Sequence, residues 1–356
     1  MVNVDYKREL KDLISIVVEE GGSDIHLSTG HHPIIRVTGS LIPLVKKPIL
    51  TDQDVDGFAQ VLMSKTKYDQ FTTEREADFS YGYADGIRFR GNGFFQKGSM
   101  SVALRLIPNT VRTLADLSLP PILESFVQRP QGFFLCVGPV GQGKSTTLAA
   151  LVDMINSSRA EHIVTIEDPV EYIYEQKKSL IDQREVGVDT ESFETALNSA
   201  FRQDVDVILV GEMRNPGTIA TAVTAAETGH LVLSTLHTNN AAQTIDRIID
   251  SFPGDQQDQI RVQLAGSLSG IFSQRLIPRI AGGMVPAYEL LINNNAVANL
   301  IREGRTHEIQ TIVETGLEQG MIDMNRSLSD LVKRGEITAE NAFAYSVNPK
   351  GLERLI

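Results

Sequence analysis

The first third of the chain combines two helical patterns with a run of alternating strands. Apolar residues follow the i, i+3, i+4, i+7, i+8 spacing of one buried helix face at Leu10, Leu13, Ile14, Val17 and Val18. Thr51 and Asp54 resemble a capping box. The helix that they predict has an apolar stripe at Val55, Phe58, Ala59, Leu62 and Met63. From Ala77 to Ile107, alternation and glycine-containing turns predict antiparallel strands. A small α+β domain over residues 1–107 fits these patterns.

The pattern changes after this domain. Residues 108–121 carry three prolines among polar residues, which predicts a linker. From residue 122 onward, short strands that read as buried alternate with helical stretches, which predicts a mostly parallel sheet with helices on both faces. Helical patterns dominate after Ala241, and we expect the C-terminal part, about 285–356, to be helical. The predicted fold class is therefore α/β, with a second domain over residues 122–356.

Charge and composition narrow the function classes. The 356 residues carry 45 acidic and 33 basic side chains, a net charge of −12, which argues against general attraction to nucleic acid or anionic lipid. One cysteine, Cys136, allows neither an intramolecular disulfide nor a four-cysteine zinc site. No apolar run approaches the ~18 residues of a membrane span, and the start lacks a signal-peptide pattern. We expect a soluble cytoplasmic protein.

The strongest motif is GPVGQGKS, which matches the phosphate-binding pattern G-x-x-x-x-G-K-[ST]. It lies between an apolar strand and a helix, where backbone N–H groups and the helix N-terminus both favour phosphate. Lys144 is expected to reach the β- and γ-phosphates, and the Ser145 hydroxyl to bind Mg²⁺. The expected nucleotide-binding residues are Gly138, Pro139, Val140, Gly141, Gln142, Gly143, Lys144, Ser145 and Thr146.

Acidic residues end two further apolar strands. VDVILVGE ends at Glu212, and HIVTIED ends at Glu167 and Asp168. Because ligands of open α/β sheets bind at the carboxyl ends of strands, one carboxylate can serve Mg²⁺ and the other the attacking water. The alternatives are a solvated acid at Glu212 and a turn cap at Asp168, before Pro169.

A histidine follows the last of these strands. His230 and His237 in HLVLSTLHT are seven residues apart, which places them on opposite faces of a strand and argues against a shared metal. His237 ends its strand as Glu167 and Glu212 do. Two interpretations stay open for it, a contact to the γ-phosphate and a structural hydrogen bond.

Together these motifs resemble the PilT-type retraction ATPases of type IV pili, within the secretion ATPase superfamily. SDIHL is similar to the N-terminal signature of that family, TIEDPVEY to its Asp box, VDVILVGEMR to its Walker B motif and TGHLVLSTLHT to its His box. IREGRTHEIQTIVETG and RGEITAENAFAYSVNP are close to the PilT branch. The resemblance covers nearly the whole chain.

The resemblance implies an N-terminal PAS-like domain, a RecA-like ATPase domain and a homohexameric ring with ATP between domains. It assigns catalysis to Glu167 and magnesium to Glu212. It also makes Arg88, Arg90 and Arg105 the candidates for arginines that contact the nucleotide, with a solvated sheet face as the alternative for each. It implies ATP and Mg²⁺ as cofactors, a platform protein of the inner membrane and a second retraction ATPase as partners, and a location at the inner face of the cytoplasmic membrane. Nucleic acid is not an expected partner.

Two departures from the family pattern leave alternatives open. Val140 and Gln142 stand where the family usually has small hydroxyl residues, which we expect to be neutral because the cradle uses backbone N–H groups. In AVANLIRE, Ala298 stands where the family usually has arginine in a motif linked to retraction. The resemblance predicts pilus retraction. Because the arginine is replaced by Ala298, an accessory or assembly ATPase of a pilus or type II secretion machine remains the alternative.

Overall fold

The computed structural model describes residues 5–83, 87–108 and 110–356. The chain divides into two compact units. The first runs to Thr110 and includes Glu171–Ile173, and the second comprises Val111–Val170 and Tyr174–Ile356. Residues 1–4 and 84–86 of the predicted N-terminal domain, and residue 109 of the predicted linker, lie outside the described residues.

The first unit contains an antiparallel six-stranded sheet in the order β3-β2-β1-β6-β5-β4. Its elements are α1 (Tyr6–Glu19), β1 (Gly22–Ser28), β2 (Ile34–Val37), β3 (Ser40–Pro43), α2 (Asp52–Leu62), α3 (Lys65–Glu74), β4 (Glu76–Gly82), β5 (Arg88–Gln96) and β6 (Ser99–Ile107). The helices bury their apolar faces together with one face of the sheet.

Both predicted helices of this unit are confirmed. Asp5 caps α1, and the capping box of Thr51 and Asp54 begins α2. The predicted stripes are buried, except that Val18 is 45% exposed. At 3.6 residues per turn, Val18 lies about 80° around the helix from Leu10, at the edge of the stripe.

The second unit contains a seven-stranded sheet in the order β13-β12-β7-β11-β10-β8-β9. All neighbouring strands are parallel except the hairpin β12–β13. The elements up to this hairpin are α4 (Glu124–Val127), β7 (Gly132–Val137), α5 (Lys144–Ser158), β8 (His162–Glu167), β9 (Leu180–Glu185), α6 (Phe193–Ala200), β10 (Val207–Val210), α7 (Pro216–Glu227), β11 (Leu231–Leu236), α8 (Ala241–Asp250), α9 (Gly254–Ser267), β12 (Leu268–Pro278) and β13 (Met284–Ile292). Short 3₁₀ turns lie at Pro121–Leu123, Thr306–Glu308 and Leu317–Gln319.

Helices complete the chain after the sheet. They are α10 (Asn295–Arg302), α11 (Ile309–Thr315), α12 (Met324–Lys333), α13 (Ala339–Tyr345) and α14 (Pro349–Glu353). The helical part therefore begins at Asn295, whereas the prediction placed it near residue 285, inside β13. The central strand β7 is buried at every residue, including Cys136, and burial raises the pKa of that thiol to about 12.

The α/β fold class is confirmed, with one difference in the segment that was predicted to be a linker. The part of this segment from Val111 onward belongs to the second unit, and Leu114 and Leu119 are buried there. Their apolar side chains pack although prolines and polar residues surround them in sequence. Within the described residues, none of the helices combines the length and the apolar character that a membrane span needs.

Candidate active site

The predicted site residues of the second unit meet at one edge of its sheet. Strands β7, β11, β10 and β8 are adjacent and parallel, so their carboxyl ends lie side by side. Leu236 pairs with Val137, and Val210 pairs with Ile166. The residues that leave these strands are, in order across the sheet, the phosphate loop, His237, Glu212 and Glu167. This edge is where open α/β sheets bind ligands.

The phosphate loop needs glycine where it touches β12. Gly138 has a φ of +147° and Gly143 a φ of +81°, conformations that L side chains rarely adopt. A Cβ at Gly138 would lie 2.4 Å from the carbonyl oxygen of Gln274, and one at Gly143 would lie 2.9 Å from its Nε2. The loop then enters α5, whose N-cap is Gly143. The helix N-terminus and the loop N–H groups form the cradle that phosphate requires.

Lys144 lies inside this cradle and is 7% exposed. Its Nζ donates to the carbonyl oxygens of Gly138 and Pro139, both at 2.9 Å. It also lies 3.3 Å from Nδ1 of His237. The ammonium group is therefore already directed at the centre of the loop, where a phosphate anion is electrostatically favoured.

His237 connects Lys144 to the first acid. Its Nε2 lies 3.9 Å from Oε2 of Glu212, whose Oε1 lies 2.5 Å from the guanidinium of Arg214. Burial lowers the pKa of His237 and the charge of Lys144 lowers it further, whereas Glu212 opposes the shift. The ring is therefore neutral at pH 7. Next to these side chains is a cleft of about 540 Å³, which Arg247 also lines.

Glu167 is the second acid at this edge and is 7% exposed. Its Oε1 accepts a hydrogen bond of 2.7 Å from the hydroxyl of Thr165, on the same strand. The carboxyl end of β8 and this bond fix the orientation of the carboxylate. Gly211, which precedes Glu212, donates its N–H to Ile166 and so keeps the two acid-bearing turns together.

Four other predicted residues, of the loop and of the start of α5, fall into three groups. Val140 is 79% exposed at the tip of the loop, so its side chain does not line the cradle. Ser145 and Thr146 are half-buried in the first turn of α5. Gln142 is also half-buried, and its Oε1 accepts from the N–H of Leu276 at 2.7 Å. The side chain of Gln142 therefore takes part in the structure, although the prediction treated it as neutral.

The available oxygen donors fit a magnesium ion. Mg²⁺ prefers hard oxygen ligands and few protein groups beside the phosphates. Ser145, which carries a hydroxyl, is next to Lys144 in the sequence. In space, the imidazole ring of His237 lies between the ammonium group of Lys144 and the carboxylate of Glu212. Ser145 and Glu212 are thus the residues that could hold the ion.

The three predicted arginines share one face of the sheet of the first unit. Arg88 and Arg90 lie on the face of β5 opposite to buried Phe89, and Arg90 pairs across the strands with Arg105. Arg105 donates from Nε to Oδ1 of Asp24 at 2.9 Å. This ion pair gives Arg105 a structural role within its own unit, whereas Arg90 is exposed.

Some contributors were not predicted from the sequence. Gln274 contacts the phosphate loop through Nε2 and helix α5 through Oε1, and Arg214 binds Glu212. His230 makes a local contact away from this edge, since its Nδ1 lies 3.0 Å from the carbonyl oxygen of Ala225. Ala298 is 7% exposed and lies in the core of the second unit.

Known proteins identify the family. A family model described as "Type II/IV secretion system protein" matches residues 5–316. The chain belongs to this family. The type IV pilus retraction ATPase PilT of Pseudomonas aeruginosa is 42% identical over 334 residues, which cover 94% of this chain and 97% of the relative. The type IV pilus ATPase PilU of the same species is 39% identical over 350 residues, covering 98% and 91%.

A solved structure of the family agrees with these sequence matches. The crystal structure of the pilus retraction motor PilT with bound ADP is 46% identical to this chain, with a TM-score of 0.90 over 96% of this chain and 98% of that one. The resemblance to PilT-type ATPases, first inferred from motifs, is thereby confirmed.

Proposed function

We propose that this chain is an ATP hydrolase that drives the retraction of type IV pili. The observation that carries the proposal is the row of groups at the sheet edge: a phosphate loop with a buried lysine, a neutral histidine and two acids on adjacent strands. Relatives of similar length that cover nearly all of this chain are retraction ATPases or retraction motors by name.

In this proposal the first step is the binding of the ATP phosphates by the phosphate loop. The N–H groups of the loop and of the first turn of α5 bind phosphate oxygens, and Lys144 exchanges its two carbonyl bonds for the β- and γ-phosphates. Ser145 and Glu212 would hold Mg²⁺, and the ion would supply neutralisation of charge on the phosphates. The guanidinium of Arg214 lies 2.5 Å from Oε1 of Glu212 and so restrains the orientation of this carboxylate.

Glu167 then orients the attacking water and accepts its proton as the water oxygen bonds to the γ-phosphorus and the β–γ bond breaks. Its buried position and the hydrogen bond from Thr165 keep the carboxylate in place. His237, neutral and next to Lys144, contacts the γ-phosphate. When the γ-phosphate leaves, this contact is lost and the sheet edge thereby senses hydrolysis. Arg88, Arg90 and Arg105 are proposed to compensate the charge of a nucleotide on a neighbouring subunit, as arginine fingers do. For Arg105 this requires release from Asp24.

We further propose the assembly and location that the family resemblance implies. The two units are taken as an N-terminal domain and an ATPase domain, six copies form a ring, and nucleotide cycling moves the domains. The ring works in the cytoplasm, bound at the inner membrane face through a platform protein, with a second retraction ATPase as a further partner. Light scattering with ATP and Mg²⁺ tests the ring, and a monomer under these conditions would contradict it.

The deciding experiment is a count of surface pili in cells whose only copy carries Glu167→Gln. This variant separates ATP turnover from the presence of the protein, because the amide keeps the size of the side chain but cannot accept the proton. More pili together with lost surface motility are expected. Bald cells would identify an assembly motor. Unchanged pili would favour a redundant second motor or an accessory subunit, the role that buried Ala298 in place of a family arginine leaves as the second candidate.

A further inference from the structure

Strand β12 extends beyond its parallel neighbour and forms a wall of the phosphate cradle. Its pairing with β7 ends at Ser273 opposite Val137, whereas its pairing with β13 continues to Pro278. Beyond Ser273, one side of β12 is therefore paired with β13 and the other side faces the phosphate loop. Gln274 and Leu276 lie in this extension.

Two glutamine side chains join this wall to the loop. Gln274 is 3% exposed, and its Nε2 donates to the carbonyl oxygen of Gln142 at 2.8 Å. Its Oε1 accepts from the hydroxyl of Thr147 in α5 at 2.6 Å. In return, Oε1 of Gln142 accepts from the N–H of Leu276 at 2.7 Å. We call Gln142 and Gln274, with these three hydrogen bonds, the amide clamp.

The amide clamp sets the direction of one peptide group in the cradle. A peptide unit is planar and trans, so the carbonyl of Gln142 and the N–H of Gly143 point to opposite sides. Gln274 holds that carbonyl toward β12. The N–H of Gly143 must then point away from β12, toward the interior of the loop, where phosphate-binding loops present their N–H groups.

We propose that Gln274 and Gln142 are positioning residues for phosphate: they hold the Gly143 N–H in its binding orientation before the nucleotide arrives. The inference rests on the proposed nucleotide-binding function and adds to it a contact that the phosphate-loop motif does not contain. Neutral amides suit the task, because they fix the loop without placing a charge beside the phosphates. An unclamped loop must order this peptide on binding, which weakens affinity.

The test compares variants that break different bonds of the amide clamp. Gln274→Met removes both amide bonds at nearly constant volume. Gln274→Glu keeps the acceptor for Thr147 but places an oxygen against the carbonyl of Gln142. Gln142→Ser is too short to reach Leu276. Exposed Gln259→Met in α9 is the matched control for a glutamine-to-methionine change.

Calorimetric titration with ADP and, separately, with adenosine measures the effect. We expect each Gln274 variant to lose about tenfold in ADP affinity, the scale of one or two hydrogen bonds, while adenosine affinity stays the same. The KM for ATP should rise by a similar factor with kcat nearly unchanged, because the clamp serves ground state and transition state alike. The Gln274→Met/Gln142→Ser double variant should lose little more ADP affinity than whichever single variant binds ADP less tightly, since the two residues act on one loop.

Three results would overturn the proposal: unchanged ADP affinity in both Gln274 variants, a parallel loss of adenosine affinity, or full additivity in the double variant. Lys144→Ala separates this failure from failure of the proposed function. If Lys144→Ala abolishes ADP binding while the Gln274 variants bind normally, only the amide clamp is wrong. If Lys144→Ala also binds and hydrolyses normally, the nucleotide site itself is wrong.

Discussion

Glu289 in β13 is a buried acid that should make the second unit less stable as the pH rises. Its side chain is 2% exposed and accepts a 2.8 Å hydrogen bond from the N–H of Ala241, at the start of α8. Burial raises the pKa of Glu289 to about 7; the Ala241 N–H opposes this, and the negative charges of Asp323 and Glu314 add to it. The native protein therefore holds a proton on Glu289 over a range in which the unfolded chain has lost it.

The sign and size of the effect follow from that difference. The folded-state pKa lies above the unfolded value of 4.5, so the stabilising contribution is complete below pH 4.5 and is lost as the pH rises through 7. One pKa unit corresponds to about 1.4 kcal/mol, so a shift from 4.5 to about 7 corresponds to about 3 kcal/mol of unfolding free energy. Glu289→Gln removes this penalty, because the amide cannot ionise and its oxygen still accepts from Ala241.

Denaturant unfolding at pH 4.5, 6, 7 and 8 measures the prediction. Glu289→Gln and wild type should differ little near pH 4.5, and the variant should be more stable by about 3 kcal/mol at pH 8. Glu318→Gln is the matched control, since it removes an exposed acid that is not among the charges acting on Glu289 and should leave the slope almost unchanged. Parallel curves for Glu289→Gln and wild type across this range, or a less stable variant at pH 8, would refute the reasoning.

Three further predictions test the site and the first unit. Glu167→Gln and Glu212→Gln should each keep ATP binding and lose turnover, by about 10²–10⁴-fold where the acid acts as the base, as single-turnover assays with a binding control would show. Gly138→Ala should unfold with about 3 kcal/mol less free energy, because its Cβ would lie 2.4 Å from a β12 carbonyl oxygen at a φ of +147°, and a normal melting curve would contradict this. Burial acts to raise the pKa of Asp24, but hydrogen bonds from a serine hydroxyl and Arg105 outweigh it and lower this pKa. Asp24→Asn should therefore destabilise the protein at pH 7, by an amount that shrinks below pH 4, as thermal melts would measure.

Much of the candidate site could be predicted because each part is a local pattern. The phosphate loop, Glu167, Glu212 and His237 each lie at the end of an apolar strand of their own, directly next to it in the sequence. Parallel strands place their carboxyl ends at one edge, so local patterns were enough to predict that these groups meet. The division of roles between the two acids did not follow from the patterns and came from family resemblance.

The hairpin β12–β13 could not be predicted in the same way. Seven consecutive residues from Leu268 to Gln274 in β12 are buried, so the strand does not alternate between polar and apolar residues. Its apolar residues Leu268, Ile271, Phe272 and Leu276 instead follow the i, i+3, i+4, i+8 spacing that is typical of a helix face. The prediction therefore extended a helical region over residues 285–292, where the structure has β13.

Gln142 shows why part of the site is invisible to motif analysis even when the motif is found. The sequence argument treats its side chain as neutral because phosphate loops bind through backbone N–H groups. That premise holds, but the direction of a backbone N–H depends on what holds the carbonyl of the same peptide, and here that group is Gln274, 132 residues further along the chain. Neither amide carries charge, metal affinity or helical periodicity that could mark it. Only the overlap of β12 with the phosphate loop makes the two glutamines partners, so the contact depends on the three-dimensional fold.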